Sequence, residues 1–148
     1  MTLNERKHLS TRKMEVRTKY SKLASFLTSR IKDINAGELI LPEGLEELYN
    51  RELVKEYGSS TKKGRLQEEL DACFDGVLTS LKKDFPYFTG QQIQVFSLLA
   101  AGFPYYLVAK LSGLSSVNAV WVMKTKMKET FTTTYSSRRE EYLIMLEK

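Results

Sequence analysis

Cysteine, histidine, proline and long apolar runs are all scarce in this chain of 148 residues, which has one Cys, one His, one Trp and three Pro. Each scarcity excludes something. Cys73 has no internal disulfide partner, and a single histidine, His8, rules out metal sites built on paired histidines. A Ser-His or Cys-His nucleophile is equally implausible, and no cluster of His, Cys, Asp or Glu has catalytic or metal-ligand spacing. The sequence therefore reads as a non-enzyme with no cofactor, no metal and no evident small-molecule substrate. No apolar run is long enough to cross a bilayer, and "MTLNERKHLS" lacks the apolar stretch of a signal peptide, so the expected setting is cytoplasmic. Strand patterns are nearly absent too: "ELILP" at 38–42 is the one candidate, and it is too short to form a sheet alone.

What is present is an ordinary globular balance, 42% hydrophobic and 28% charged, in a chain large enough to bury a core. Cys73 shares the helical spacing of Leu66, Leu70, Phe74, Val77 and Leu81 and reads as a structural thiol, whereas His8 lies in a polar stretch and reads as solvated. The net charge of +5 is segregated. Residues 1–22 hold seven Lys or Arg against Glu5 and Glu15; residues 38–57 hold six Glu against Arg51 and Lys55; residues 89–131 hold four Lys against Glu129. This is the pattern of a basic arm, an acidic middle helix and a basic C-terminal module.

Helical periodicity dominates the chain. Val16, Tyr20, Leu23, Leu27 and Ile31 form one stripe of a helix expected from about Met14 to Ile34. A stripe of that length suits a dimer seam, so a homodimer is expected through it. "NAG" at 35–37 ends that helix, and Pro42 opens another with Glu43, Glu46 and Glu47 in its first turns and Leu45, Leu48, Tyr49, Leu53 and Tyr57 on its apolar face. "GSSTKKG" at 58–64 reads as a linker and lacks the residue order of a phosphate-binding loop. A third helix is expected from about Arg65 to Asp84, stopped by Pro86. The chain is expected to be all-α with about seven helices, an arm and helical hairpin over 1–85 and a C-terminal domain over 86–148.

The C-terminal part carries the most specific pattern. Thr89 caps an amphipathic helix that Gly102 stops; "FPYYLVAKLSG" is a short second helix with Ala109 on its inner side and Gly113 after its end; "VNAVWVMKTKMKETF", 117–131, is a third. Helix, tight glycine turn, helix is the helix-turn-helix plan, whose second helix enters the major groove of DNA. Residues 89–131 resemble the LuxR-type helix-turn-helix module, related in shape to region 4 of sigma factors. The parallel runs through "LLAAG", the Ala109-x-Leu111-x-Gly113 spacing, "SVN" at 116–118 and the core positions Val120, Met127 and Phe131. The segment "EELDACFDGVLTSLKKDFPYFTGQQ" is similar to the stretch before this module in bacterial membrane-tethered regulators.

The resemblance implies a bacterial transcriptional regulator that binds double-stranded DNA, with a membrane-tethered parent chain as a further implication. At 100° per residue, Val120, Met123, Lys124, Met127 and Phe131 face inward, while Asn118, Trp121, Val122, Thr125, Lys126 and Glu129 face outward. The candidate contacts are Ser115 and Ser116 at the helix start, Asn118 to adenine, Val122 or Thr125 to a thymine methyl, and Lys110, Lys126 and Lys128 to phosphates. The LuxR type commonly begins this face with basic and hydroxyl residues; Trp121 and Val122 cannot make the bidentate contact to guanine. Trp121 is expected either as an apolar wedge or in an interface, against the C-terminal helix or a second subunit. A helical interaction module that no longer binds DNA is the alternative reading. The tail "YSSRREEYLIMLEK" is expected to form a last helix capped by Ser136 or Ser137.

Overall fold

The computed structural model describes residues 2–35 and 65–147. Among them are seven helices and no strand: α1 (Leu3–Asn35), α2 (Arg65–Cys73), α3 (Val77–Asp84), α4 (Gly90–Ala100), α5 (Tyr105–Ser112), α6 (Val117–Thr133) and α7 (Arg139–Leu146). The chain is all-α, as expected. The helix opened by Pro42, the "ELILP" stretch and the linker at 58–64 lie outside the described residues.

Helix α1 begins well before the apolar stripe, so the basic arm is helical and not an extended tail. The cause is local. Glu5 N–H donates to Thr2 Oγ1 at 3.1 Å while Thr2 N–H donates to Glu5 Oε2 at 3.3 Å, a reciprocal cap that satisfies donors at the helix start. From Val16 to Leu27 the stripe is buried within this chain, with α1 packed against α5 and α7: Val16, Tyr20, Leu23, Ala24 and Leu27 all join the core. Tyr20 also packs its ring 6.2 Å from Phe103 and donates its hydroxyl to Glu69 at 2.9 Å. Each large side chain so buried stabilises the fold by about 1.5–3 kcal/mol. From Val16 to Leu27 the apolar surface on which the expected dimer seam rests is also used in the chain's own packing.

The single helix expected over Arg65 to Asp84 is two. Asp75 and Gly76 take left-handed backbone, φ 52° and 72°, between α2 and α3. Asp71 then turns the break into a start for α3, accepting from Leu78 N at 2.6 Å and Thr79 N at 3.2 Å. Cys73 is half-buried against the core. His8 is exposed.

One hydrophobic core draws on α1–α3 and on α4–α7. Its aromatic centre is Phe131, whose ring lies 5.3 Å from both Phe85 and Tyr142 and 6.1 Å from Phe96. Helix α7 packs on α1, α4 and α6. Ser136 does not cap it. That hydroxyl donates to Asp84 at 2.7 Å, where Tyr142 also donates at 2.7 Å, tying α7 to the end of α3. These hydrogen bonds, Ser136 first, hold the Asp84 carboxyl below its ordinary value. Burial, helped by the carboxylate, pushes the Tyr142 phenol up to about 12, so it stays a donor.

Candidate functional site

Helices α4, α5 and α6 pack on one another, and two glycine turns set their order. At the end of α4, Gly102 has φ 82°, with Phe103 N–H bonded to Leu98 O at 3.0 Å. At the end of α5, Gly113 has φ 71° and Leu114 N–H reaches Ala109 O at 2.8 Å. Only glycine takes this backbone without steric cost, and the i→i−5 bond closes each helix. Thr89 and Gln92 form the reciprocal cap that starts α4.

Four residues, 113–116, then lead into α6. Ser116 caps it, its Oγ accepting from Ala119 N at 3.1 Å. Val120, Lys124, Met127 and Phe131 are buried, so the inward face is the one the period assigned. The outward face carries Asn118, Trp121, Val122, Thr125, Lys126 and Glu129, all exposed, with Lys128 exposed beside them. Ser115 is exposed at the turn, and Lys110 is exposed near the end of α5, its Nζ 5.5 Å above the Tyr106 ring. The expected contact residues on α6 therefore share its exposed face, and Ser115 and Lys110 are exposed on the turn and helix before it. Among them Ser116 has a structural duty, because its oxygen already holds the start of the helix; its O–H can still donate.

Trp121 is not buried against α7. It is 44% exposed, and its ring packs 4.9 Å from Tyr105 of α5. Lys124, which the helical period put at the margin of the inward face, packs beside both: Nζ donates to Tyr105 Oη at 2.5 Å and stands 5.2 Å and 5.4 Å from the Tyr105 and Trp121 ring centres. A cation over two aromatic faces is attracted by their quadrupoles, which explains how Lys124 is buried without a carboxylate. Val122 is 45% and Tyr106 39% exposed, so the face mixes apolar with cationic groups.

The basic arm has a use that periodicity did not reveal. Lys13 is buried and donates to Ile144 O at 2.8 Å and Glu147 O at 3.2 Å, at the end of α7. Arg17 donates to Ala100 O at 3.2 Å and Leu99 O at 3.3 Å, at the end of α4, and to Glu147 O at 2.6 Å. Arg12 donates to Cys73 O at 2.8 Å, at the end of α2. The last carbonyls of a helix lack intrahelical partners and carry its negative dipole end, so cations from another helix satisfy them twice over. Arg138 does the same for Phe74 O and Asp75 O at 2.7 Å and 3.0 Å. Burial lowers the pKa of Lys13, with Arg17 and Lys124 adding to that effect and Glu147 opposing it; burial lowers that of Arg17, against the pull of Tyr105. Lys19 pairs with Glu69 of α2. Arg6 and Lys7 are exposed.

No described helix is long and apolar enough to cross a membrane, and no group of three His, Cys, Asp or Glu among the described residues is placed to hold a metal ion. With its fold, the chain is an all-α protein that presents one mixed cationic and apolar helix face. No protein-family model, curated protein or solved structure matches it.

Proposed function

We propose that the chain is a DNA-binding transcriptional regulator that offers α6 to the major groove. The observation that carries this reading is the division of α6: an inward face locked by Val120, Met127 and Phe131, and an outward face whose polar and cationic groups make no core contact. A helix anchored on one side and exposed on the other, preceded by a glycine turn and a packed support helix, is what groove insertion requires. Asn118, Val122 and Thr125 read base edges; Lys110, Lys126 and Lys128 hold phosphates. Without an arginine on this face, the site read leans towards A·T pairs. Selection of bound fragments from random DNA tests this. A recurrent A·T-leaning motif that Asn118→Ala relaxes at one base pair, by about 1–3 kcal/mol, supports it. Recovery of no enriched sequence contradicts it.

A second reading has its own observation. Trp121 and Val122 expose apolar surface on the outward face of α6, and half-exposed aromatic residues anchor protein interfaces. If Trp121→Ala leaves DNA binding intact and abolishes association with a protein partner, the face serves that interface instead.

A further inference from the structure

Three cations from two helices converge beside a small cleft. Lys13 and Arg17 of α1 share one acceptor, Glu147 O, and Lys124 of α6 reaches Tyr105, which lines the same cleft as Arg17. Lys13 and Lys124 are 5% and 7% exposed. Buried cations are normally paired with carboxylates. Among the described residues, Lys13, Arg17 and Lys124 form no salt bridge. Their hydrogen bonds go to carbonyls and a phenol, and Arg17 Nη1 makes none. The cleft encloses about 270 Å³ and is lined by Leu99, Phe103 and Leu146 on its apolar side, with Arg17, Tyr105 and Glu147 as its polar groups. The depression of the Lys13 pKa by burial, Arg17 and Lys124, opposed by Glu147, places these four charges in one field.

We propose that this cleft binds a small organic acid, its carboxylate on Arg17 and its apolar body against Leu99, Phe103 and Leu146. Arg17 Nη1, which makes no hydrogen bond within the chain, donates to a carboxylate oxygen, and the charges of Lys13 and Lys124 add positive potential in a poorly screened setting. The volume admits a body no larger than one ring or a short chain. Glu147, exposed at the rim, supplies the only carboxylate among the described lining residues, and its negative charge opposes binding of an anion there. The cleft adjoins α5 through Tyr105, whose ring also packs on Trp121, so an occupant would sit one residue from the outward face of α6. The site itself does not depend on what that face binds.

Benzoate is the probe, with benzamide as its neutral counterpart and inorganic phosphate as an anion without an apolar body, each titrated into the full chain and followed by amide chemical shifts. Benzoate should saturate with shifts centred on Arg17, Phe103 and Tyr105, and benzamide should not. Glu147→Gln should tighten benzoate about fivefold, the effect of removing one opposing charge under largely aqueous screening. Arg17→Lys, which keeps the charge and loses the Nη1 donor, should weaken it about tenfold. Lys124→Gln should weaken it less. Equal binding of benzamide, an unchanged affinity in Glu147→Gln, saturating shifts elsewhere, or binding of phosphate but not benzoate would each overturn the proposal.

Discussion

Helices α1 and α6 are both amphipathic and both carry cations, yet they direct those cations oppositely. In α1, Arg12, Lys13 and Arg17 reach into the molecule and close the C-terminal ends of α2, α4 and α7. In α6, Lys126 and Lys128 stand exposed, and only Lys124 turns inward, onto aromatic rings. The arm has the larger charge in the sequence, yet three of its seven cations are taken up by helix ends. A count of Lys and Arg therefore does not locate where charge acts. What decides is whether a helix end lacking donors lies within reach of the side chain.

The largest way to break the comparison is from the inside of α6. Phe131→Ala removes the ring that Phe85, Phe96 and Tyr142 pack on, and should cost about 3–5 kcal/mol in urea unfolding. Next is the inside of α1: Arg17→Ala leaves Ala100 O, Leu99 O and Glu147 O without their cation and should cost about 2–3 kcal/mol. Gly102→Ala attacks the same junction from the other side. Its φ of +82° is unfavourable for alanine and the added Cβ would lie 2.7 Å from Arg17 Cγ, so a loss of about 1–2 kcal/mol is expected in thermal unfolding.

A smaller effect is pH-dependent. The Asp84 carboxyl is held below its ordinary value of 3.8, so its contribution is present above that pH and is lost as pH falls through the depressed value. Asp84→Asn should flatten the acid limb of the stability profile below about pH 4, and an unchanged limb would show that its bonds to Ser136 and Tyr142 contribute nothing there. Smallest of all in stability are Lys126→Ala and Lys128→Ala, expected within about 0.5 kcal/mol of the parent.

Much of the fold was legible because apolar period survives any tertiary context. The stripe from Val16 to Leu27 and both faces of α6 follow from it, while the Gly102 and Gly113 stops and the Thr89 cap follow from the residue types that end and start helices. Two local signals went unread. "TLNE" at 2–5 is a capping box that starts α1 eleven residues before Met14, and "DG" at 75–76 breaks a stretch whose apolar spacing runs straight through it. The cationic caps were not legible at all. Lys13 meets Ile144 and Arg17 meets Ala100 across long sequence separations, and their acceptors are backbone carbonyls, which no side-chain pattern marks. Lys124 was placed at the inner margin by period, but its burial depends on the Tyr105 and Trp121 rings packing beside it.

The division of labour between the two helices is tested most directly by the salt dependence of DNA affinity, measured on the full chain and on two double variants. For Lys126→Ala/Lys128→Ala the slope of log affinity against log salt should fall by about two contacts' worth, while Arg6→Ala/Lys7→Ala, on the exposed start of α1, should leave it unchanged. A slope that falls with the α1 pair and not with the α6 pair would contradict the account.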